Sequence, residues 1–400
     1  MKVAIIGCGL IGKRRAHVVH ELPSDELIIV ADINEPCAID LAKAMNCLAT
    51  TDWREVVSRD DLDVIIVSTT NNYLMPVTVA SLERGKNVLC EKPLGRNSGE
   101  AKKMVNVAWH AGVLLKTGFN HRHHSAIWKA YELCNQGAIG PVTFIRAVYG
   151  HGGRPGYDKE WRADPDLAGG GELLDQGVHI LDLCCWFMGD FTEVFGFTST
   201  YYWNLGYFQS SKNHQSSANS YQLSAPSRQL EDNAFVLLRT ADGRIAQFHT
   251  SWTQWKNRFT FEIFGEVGYL IIDGLGGNYG VETLRIGKRK LLNLKEDKQY
   301  PPNQPIVNQL KINNVVPQYA GGPPDEEIIE FPGPDLSWQK EWQEFASAIQ
   351  ERRQPLANGE EGLRVMRMID AIYESCKSGH VVYLDSFEKE LVNSRVCQKS

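Results

Sequence analysis

No two of the nine cysteines stand at C-x-x-C spacing, which removes the usual zinc-knuckle and dithiol-redox patterns. They are scattered and odd in number, as small apolar residues are in a reducing compartment, so the cytosol is the expected location. No apolar run reaches the roughly 18 residues that a membrane span needs. Charged and glycine positions also break the N-terminal apolar stretch too early for a secretory signal. Basic excess is missing as well: 42 Lys plus Arg against 48 Asp plus Glu leave a net charge of −6. Without a positive field to hold phosphates, nucleic acid is not an expected partner. What remains is an ordinary globular composition, 43% hydrophobic and 22% charged. Its 400 residues exceed what one core usually organises, so two domains are expected.

The first third alternates short apolar runs with helical spacing. Val3 to Ile6, Leu27 to Ala31, Val64 to Ser68, Asn87 to Cys90 and Val113 to Thr117 read as buried strands. Between them, Ile11 to Leu22, Ala38 to Met45, Pro76 to Arg84 and Ser98 to His110 read as helices. That alternation predicts an α/β fold with a doubly wound parallel sheet. Past Gly118, apolar runs at 194–200, 234–240, 245–252, 259–264 and 269–273 follow one another with turn signals between them. They predict an open, mostly antiparallel sheet in an α+β second domain. The boundary falls near residue 119, giving domains 1–119 and 120–400. Residues 204–227 and 299–334, rich in Ser, Asn, Pro and Gly, read as long loops. Trp338, Trp342, Phe345 and Ile349 share one helical face and read as core, and a last helix spans about 361–377.

Gly7-Cys8-Gly9-Leu10-Ile11-Gly12 follows the first strand and opens the first helix. Gly7 suits a tight turn, Gly9 a close backbone approach to a pyrophosphate, and Gly12 close packing of helix on strand. The helix N-terminus, at Leu10 and Ile11, offers free N–H groups to phosphates. Asp32 closes the second strand about 20 residues on, where a carboxylate accepts ribose hydroxyls and repels a 2′-phosphate. Ile33 and Asn34 stand where an NADP enzyme would carry Arg or Lys, so NAD is favoured over NADP.

Glu91-Lys92-Pro93 ends a strand at the carboxyl edge of the sheet, where open α/β folds bind ligands. A lysine there can hold a substrate oxygen as hydride leaves. Gly169-Gly170-Gly171 precede a helical stretch in which Asp175 and His179 are four apart on one face. Histidine is a natural base for an alcohol, and a neighbouring carboxylate can orient it and favour its charged form. The spacing is equally compatible with a helix carboxylate beside a satisfied core histidine. His121, His123 and His124 crowd around Arg122 without an acidic or cysteine partner at ligand spacing, and no metal site is expected.

Together, the glycine fingerprint, Glu91-Lys92-Pro93, and Asp175-x-Gly177-x-His179 after a triple glycine resemble the glucose–fructose oxidoreductase / inositol dehydrogenase family. The likeness extends to Gly137-x-Ile139-Gly140-Pro141-Val142 and to the helix end Tyr373-Glu374-Ser375-x-Lys377-x-Gly379. The resemblance implies a Rossmann domain followed by a domain whose open sheet joins homodimers or homotetramers. It implies a catalytic Lys92, with a cis peptide before Pro93, and His179 as acid/base with Asp175 as its partner. Thr69, Asn71 and Glu91 then border the cofactor, although Thr69-Thr70-Asn71-Asn72-Tyr73-Leu74 lacks the proline and histidine common in that loop. Arg122 becomes a candidate substrate or cofactor contact, with His121 departing from the paired arginines often found there, and Trp161 and Arg162 become candidate substrate contacts.

The implied activity is hydride transfer between NAD and a secondary alcohol of a sugar, sugar derivative or cyclitol. Two alternatives use the same fold: glycoside cleavage or epimerisation with internally recycled hydride, and a non-catalytic NAD-binding regulator.

Overall fold

The computed structural model describes residues 1–153, 156, 159–201, 230–289, 291–292, 319–320 and 326–387. Six strands form the first sheet: β1 (Lys2–Ile6), β2 (Glu26–Ala31), β3 (Leu48–Thr50), β4 (Val64–Val67), β5 (Asn87–Glu91) and β6 (Leu115–Gly118). All pair in parallel, in the order β3-β2-β1-β4-β5-β6. Helices α1 (Leu10–His20), α2 (Glu35–Met45), α3 (Trp53–Val57), α4 (Asn71–Glu83) and α5 (Ser98–Ala111) lie between the strands in sequence. Every residue of β4 is buried, as expected of a strand covered on both faces. The chain order reverses between β1 and β4, so the loops after these strands diverge and leave a crevice at the carboxyl edge.

Local chemistry sets the helix limits. Asn34 caps α2 by accepting from the Cys37 N–H, and Asn97 caps α5 by accepting from the Glu100 N–H. Helix α4 begins at Asn71, five residues before Pro76, where the expected helix started. The short edge strand β3 and helix α3 were not foreseen; each is too brief for periodicity to mark.

The second sheet has nine strands. Its members are β7 (Val142–Gly150), β8 (Phe191–Ser199), β9 (Asn233–Thr240), β10 (Ile245–Ser251), β11 (Arg258–Gly265), β12 (Gly268–Asp273), β13 (Glu282–Lys288), β16 (Glu326–Phe331) and β17 (Val382–Tyr383). Two dipeptides, β14 (Leu291–Leu292) and β15 (Tyr319–Ala320), make a separate ladder. The order is β16-β13-β12-β11-β7-β10-β9-β8-β17, antiparallel except between β7 and β10. Strict alternation in β9 buries Ala234, Val236 and Leu238 and exposes Phe235 and Leu237. One sheet face therefore belongs to the core and the other is open.

The long-loop reading of 299–334 needs correction. Glu326–Phe331 is an edge strand paired with β13. Its three glutamates look like loop chemistry in the sequence, yet charge is what an edge strand carries to discourage further pairing. The segment 204–227 lies outside the described residues.

Helices α6 (Ser125–Asn135), α7 (Pro165–Ala168) and α8 (Val178–Met188) precede β8, while α9 (Ser337–Glu351) and α10 (Gly359–Ser378) follow β16. Helix α9 returns to the first sheet. Trp342 and Phe345, both fully buried, pack with Val3, Ile5, Val30 and Leu89, and Trp342 Nε1 donates to Asp25 at 2.8 Å. Of the expected face, Trp342 and Phe345 are core and Ile349 packs against them half-buried, while Trp338 is half-buried with Arg15 4.6 Å over its ring; the core they join is that of the first sheet. No helix among the described residues is long and apolar enough to cross a membrane.

Candidate active site

The carboxyl edge of the first sheet gathers Gly7, Asp32, Ser68 and Glu91. At Gly7, φ is +103°, and a Cβ would lie 2.4 Å from the Ser68 carbonyl oxygen. At Gly12 a Cβ would lie 1.8 Å from the Gly7 carbonyl oxygen, so only glycine lets α1 start this close to β1. Gly9 differs: a Cβ there meets nothing within 4 Å, and the position is exposed. The turn is sealed at two glycines and open at the third, as a cradle for an incoming pyrophosphate must be.

Helix α1 has neither a side-chain cap nor an acidic residue in its first turn. Its leading amides remain available to phosphate oxygens. Leu10 is 66% exposed and Ile11 half-buried beside them. The Asp32 carboxylate accepts from the Cys8 N–H at 2.7 Å and the Asn34 N–H at 2.8 Å. It ties the glycine turn to the end of β2 and keeps lone pairs for ribose hydroxyls. These residues fit a dinucleotide, and the negative charge at Asp32 fits NAD.

Other expected cofactor contacts have structural ties. Asn71 is buried and its side-chain amide donates to the Ala168 carbonyl at 2.8 Å. Glu91 is buried against Arg15, which donates to it at 2.8 and 2.6 Å and also meets Glu341 of α9 at 2.6 Å. Thr69 is half-buried on the loop after β4.

Lys92 leaves β5 through a cis Lys92–Pro93 peptide. Its ammonium donates to the Asp175 carbonyl at 2.6 Å and to Asp175 Oδ1 at 2.8 Å. An ammonium has three N–H groups, so one donor stays free of this pairing. Arg162 Nε stands 3.5 Å from the other carboxylate oxygen, with its guanidinium 4.5 Å over the ring of Trp161. Burial works against charge on Asp175, but Lys92 and then Arg162 outweigh it and hold its carboxyl well below the usual range.

Asp175 sits in a π-helical turn, Leu173–Gly177, which runs directly into α8 with His179 in its first turn. Such turns are frequent at functional sites. His179 is 4% exposed and its Nδ1 has no hydrogen-bond partner among the described residues. Burial, then the charge of Lys92 and His124, push its pKa well below 6.5, so the imidazole is neutral at pH 7. The expected Asp175–His179 partnership is corrected here: the carboxylate oxygens turn to Lys92 and Arg162. His179 instead stacks on His121, with centroids 3.8 Å apart and planes 23° from parallel.

Sequence reasoning missed three neighbours. Glu172 is a fully buried carboxyl whose pKa is raised well above 4.5, by burial first and the Asp175 charge second. Tyr149 and Tyr279 share a hydrogen bond beside it. Only the triple glycine next to Glu172 hinted at close packing there, where a Cβ on Gly171 would lie 2.1 Å from the Glu231 carbonyl oxygen.

Arg122 is not brought to the site. It is wholly buried, donating to both Asp182 oxygens at 2.8 and 2.5 Å and to Glu361 at 2.9 Å. That burial gives it a role in the core rather than at substrate. Among the described residues, no group of three or more His, Cys, Asp or Glu is placed to hold a metal ion.

Residues 1–119 match the oxidoreductase family with an NAD-binding Rossmann fold, and residues 127–271 match the GFO/IDH/MocA C-terminal domain. A levoglucosan dehydrogenase of Pseudarthrobacter phenanthrenivorans is 24% identical over 286 residues, covering 68% of this chain and 73% of that protein. A 1,5-anhydro-D-fructose reductase of Ensifer adhaerens is 26% identical over 341 residues, 84% of each chain. A solved levoglucosan dehydrogenase in complex with NADH shares the fold, with a TM-score of 0.75 at 20% identity over 96% of this chain and 99% of that one. The two family matches span more than half of the sequence in the order of the two sheets, and the chain therefore belongs to the Gfo/Idh/MocA family of NAD-binding oxidoreductases.

Proposed function

We propose that this protein oxidises a secondary alcohol of a sugar, sugar derivative or cyclitol, using NAD, with Lys92 and His179 as the groups that handle the reacting oxygen. The observation that carries the reading is the pairing of a pinned ammonium that keeps one free donor with a buried, neutral imidazole. The two are near enough for the lysine charge to depress the histidine's proton affinity. Bound NAD supplies the hydride acceptor.

Lys92 donates its free N–H to the carbinol oxygen and stabilises alkoxide character. His179 accepts the hydroxyl proton, which it can do because it is neutral beforehand. Asp175 holds the ammonium in place and, with Arg162, offers a charged rim to neighbouring hydroxyls. Gly7, Gly9, Gly12 and Asp32 hold the dinucleotide. Both similar proteins described above are named for anhydrosugars, which supports the sugar side of the substrate class and puts anhydrosugars first in a screen.

The open sheet face exposes Phe144, Phe197, Phe235, Leu237 and Ile245. Apolar area of this kind supports association of copies through that face, in homodimers or homotetramers. The described cysteines are all free, which supports a reducing, cytosolic setting.

The test is NADH formation by the purified protein on a panel of anhydrosugars, sugars, inositols and sugar nucleotides. Lys92→Ala and His179→Ala should each lower turnover by about 10²–10⁴-fold while NAD binding survives. Near-normal turnover in both variants rejects the mechanism. Tight NAD binding with no turnover on any panel member rejects the enzyme reading.

A further inference from the structure

His121 is the nearest ring to His179 and has no role in the reaction as drawn so far. It lies in the 3₁₀ turn Asn120–His123 that follows β6, 5% exposed. Its Nδ1 sits 3.3 Å from Asn120 Oδ1, and the Asn120 amide donates to Ser337 Oγ at 2.9 Å. That relay orients the Asn120 oxygen as an acceptor, so the hydrogen of His121 stays on Nδ1. Phe259 and Tyr149 close around the ring, with centroids 5.9 and 5.2 Å away. The ring is fixed by packing and by a tether, and its face lies against the face of His179.

We propose that His121 is a positioning residue for His179: its ring sets the plane of the His179 imidazole and presents a neutral π face to the imidazolium that forms when His179 takes the substrate proton. The inference deepens the function proposed above and rests on that reading. A cation over an aromatic face is stabilised by the ring quadrupole, more so where water is excluded. Two charged imidazoles at this separation would repel, so the device works only if His121 stays uncharged. Burial, then His179, His124 and Lys92, depress its proton affinity.

The charged and titratable groups facing the pair come from every packed element. Lys92 approaches from the end of β5, and His124, just past the His121 turn, stands edge-on to His121 at 5.5 Å with Glu282 of β13 3.4 Å from its Nδ1. Tyr149 of β7 stands 6.3 Å from the His179 ring, and Phe119 stands edge-on to it at 6.1 Å without charge. Asp175 spends its oxygens on Lys92 and Arg162, and among the described residues no other carboxylate is paired with His179. A π face is then the stabilising group left beside it.

The experiment compares His121→Phe with His121→Leu in the NAD-loaded enzyme. Phenylalanine keeps a flat ring in the stack, and leucine fills similar space without one. The proposal expects His121→Phe to stay within about threefold of wild-type kcat and His121→Leu to lose about tenfold. The His179 pKa, read by NMR, should fall by about one unit in the leucine variant only. Equal behaviour of the two variants in both readouts overturns the proposal and leaves a packing role. Should neither variant fold, the wild-type NMR spectrum decides: an uncharged Nδ1–H tautomer of His121 at pH 7 supports the inference, and a protonated His121 overturns it. Failure of the wild-type protein to oxidise any alcohol would strike the functional reading, whereas the two NMR outcomes concern His121 alone.

Discussion

Asp175→Asn isolates the group that pins Lys92, the lysine proposed to hold the reacting oxygen. The asparagine keeps the shape of the side chain and an oxygen for Lys92, but removes the negative charge that stands 2.8 Å from the ammonium and 3.5 Å from Arg162. The wild-type carboxyl is held well below the usual range by those two cations, so it is ionised at any assay pH and a full charge is lost. Hydrogen bonds to charged groups contribute about 1.5–3 kcal/mol net. At about 1.4 kcal/mol per factor of ten, kcat/KM should fall roughly 10- to 150-fold. NAD affinity should not change, because the glycine turn and Asp32 are untouched.

Steady-state kinetics on the best alcohol of the panel, with NAD affinity measured by fluorescence, reads both quantities. A companion variant sharpens the test. Asp175→Ala leaves the backbone carbonyl that accepts from Lys92 at 2.6 Å, so its loss should exceed that of the asparagine by no more than about tenfold. An asparagine variant within about threefold of wild type would refute the idea that this carboxylate's charge holds the lysine for chemistry.

Three further outcomes follow from the same geometry. Because His179 must be neutral to accept a proton and its pKa is pushed well below 6.5, the rate of alcohol oxidation should hold steady from pH 7 down to 6.5. It should fall only at lower pH, and a pH–rate midpoint at or above 6.5 contradicts the burial argument. Gly9→Ala should fold normally and lose NAD affinity, whereas Gly12→Ala should fail to fold stably, as its Cβ would lie 1.8 Å from a carbonyl oxygen; thermal melts and NAD titration separate the two. Trp342→Ala should destabilise the chain by about 3–5 kcal/mol in denaturant unfolding, since a fully buried indole joins α9 to the first sheet.

The first sheet was largely legible because its information is local. Strands β1, β2 and β4 show as runs rich in Val and Ile, and the Gly7–Gly12 turn marks the crossing into α1. The second sheet showed as consecutive apolar runs, but β16 hid behind its glutamates. The site was legible only as a set of residues. Lys92 and Asp175 are 83 positions apart, and His121 and His179 are 58 apart. Whether Asp175 turns to His179 or to Lys92 is decided by the π turn and by where β5 ends, neither of which leaves a periodic trace. Arg122 misled for a related reason. The family resemblance, with its paired arginines at that place, pointed Arg122 toward substrate, while the partners that bury it, Asp182 and Glu361, lie on two distant helices.

In the proposed reaction the carbinol hydrogen leaves the substrate as hydride while Lys92 and His179 manage the oxygen and its proton. Deuterium placed on the carbinol carbon of an active polyol tests it most directly. The label should appear in the released NADH, one per ketone formed, and should be almost absent with His179→Ala. Label retained in the organic product, with no net NADH, would contradict the account and point to hydride that is returned within each turnover.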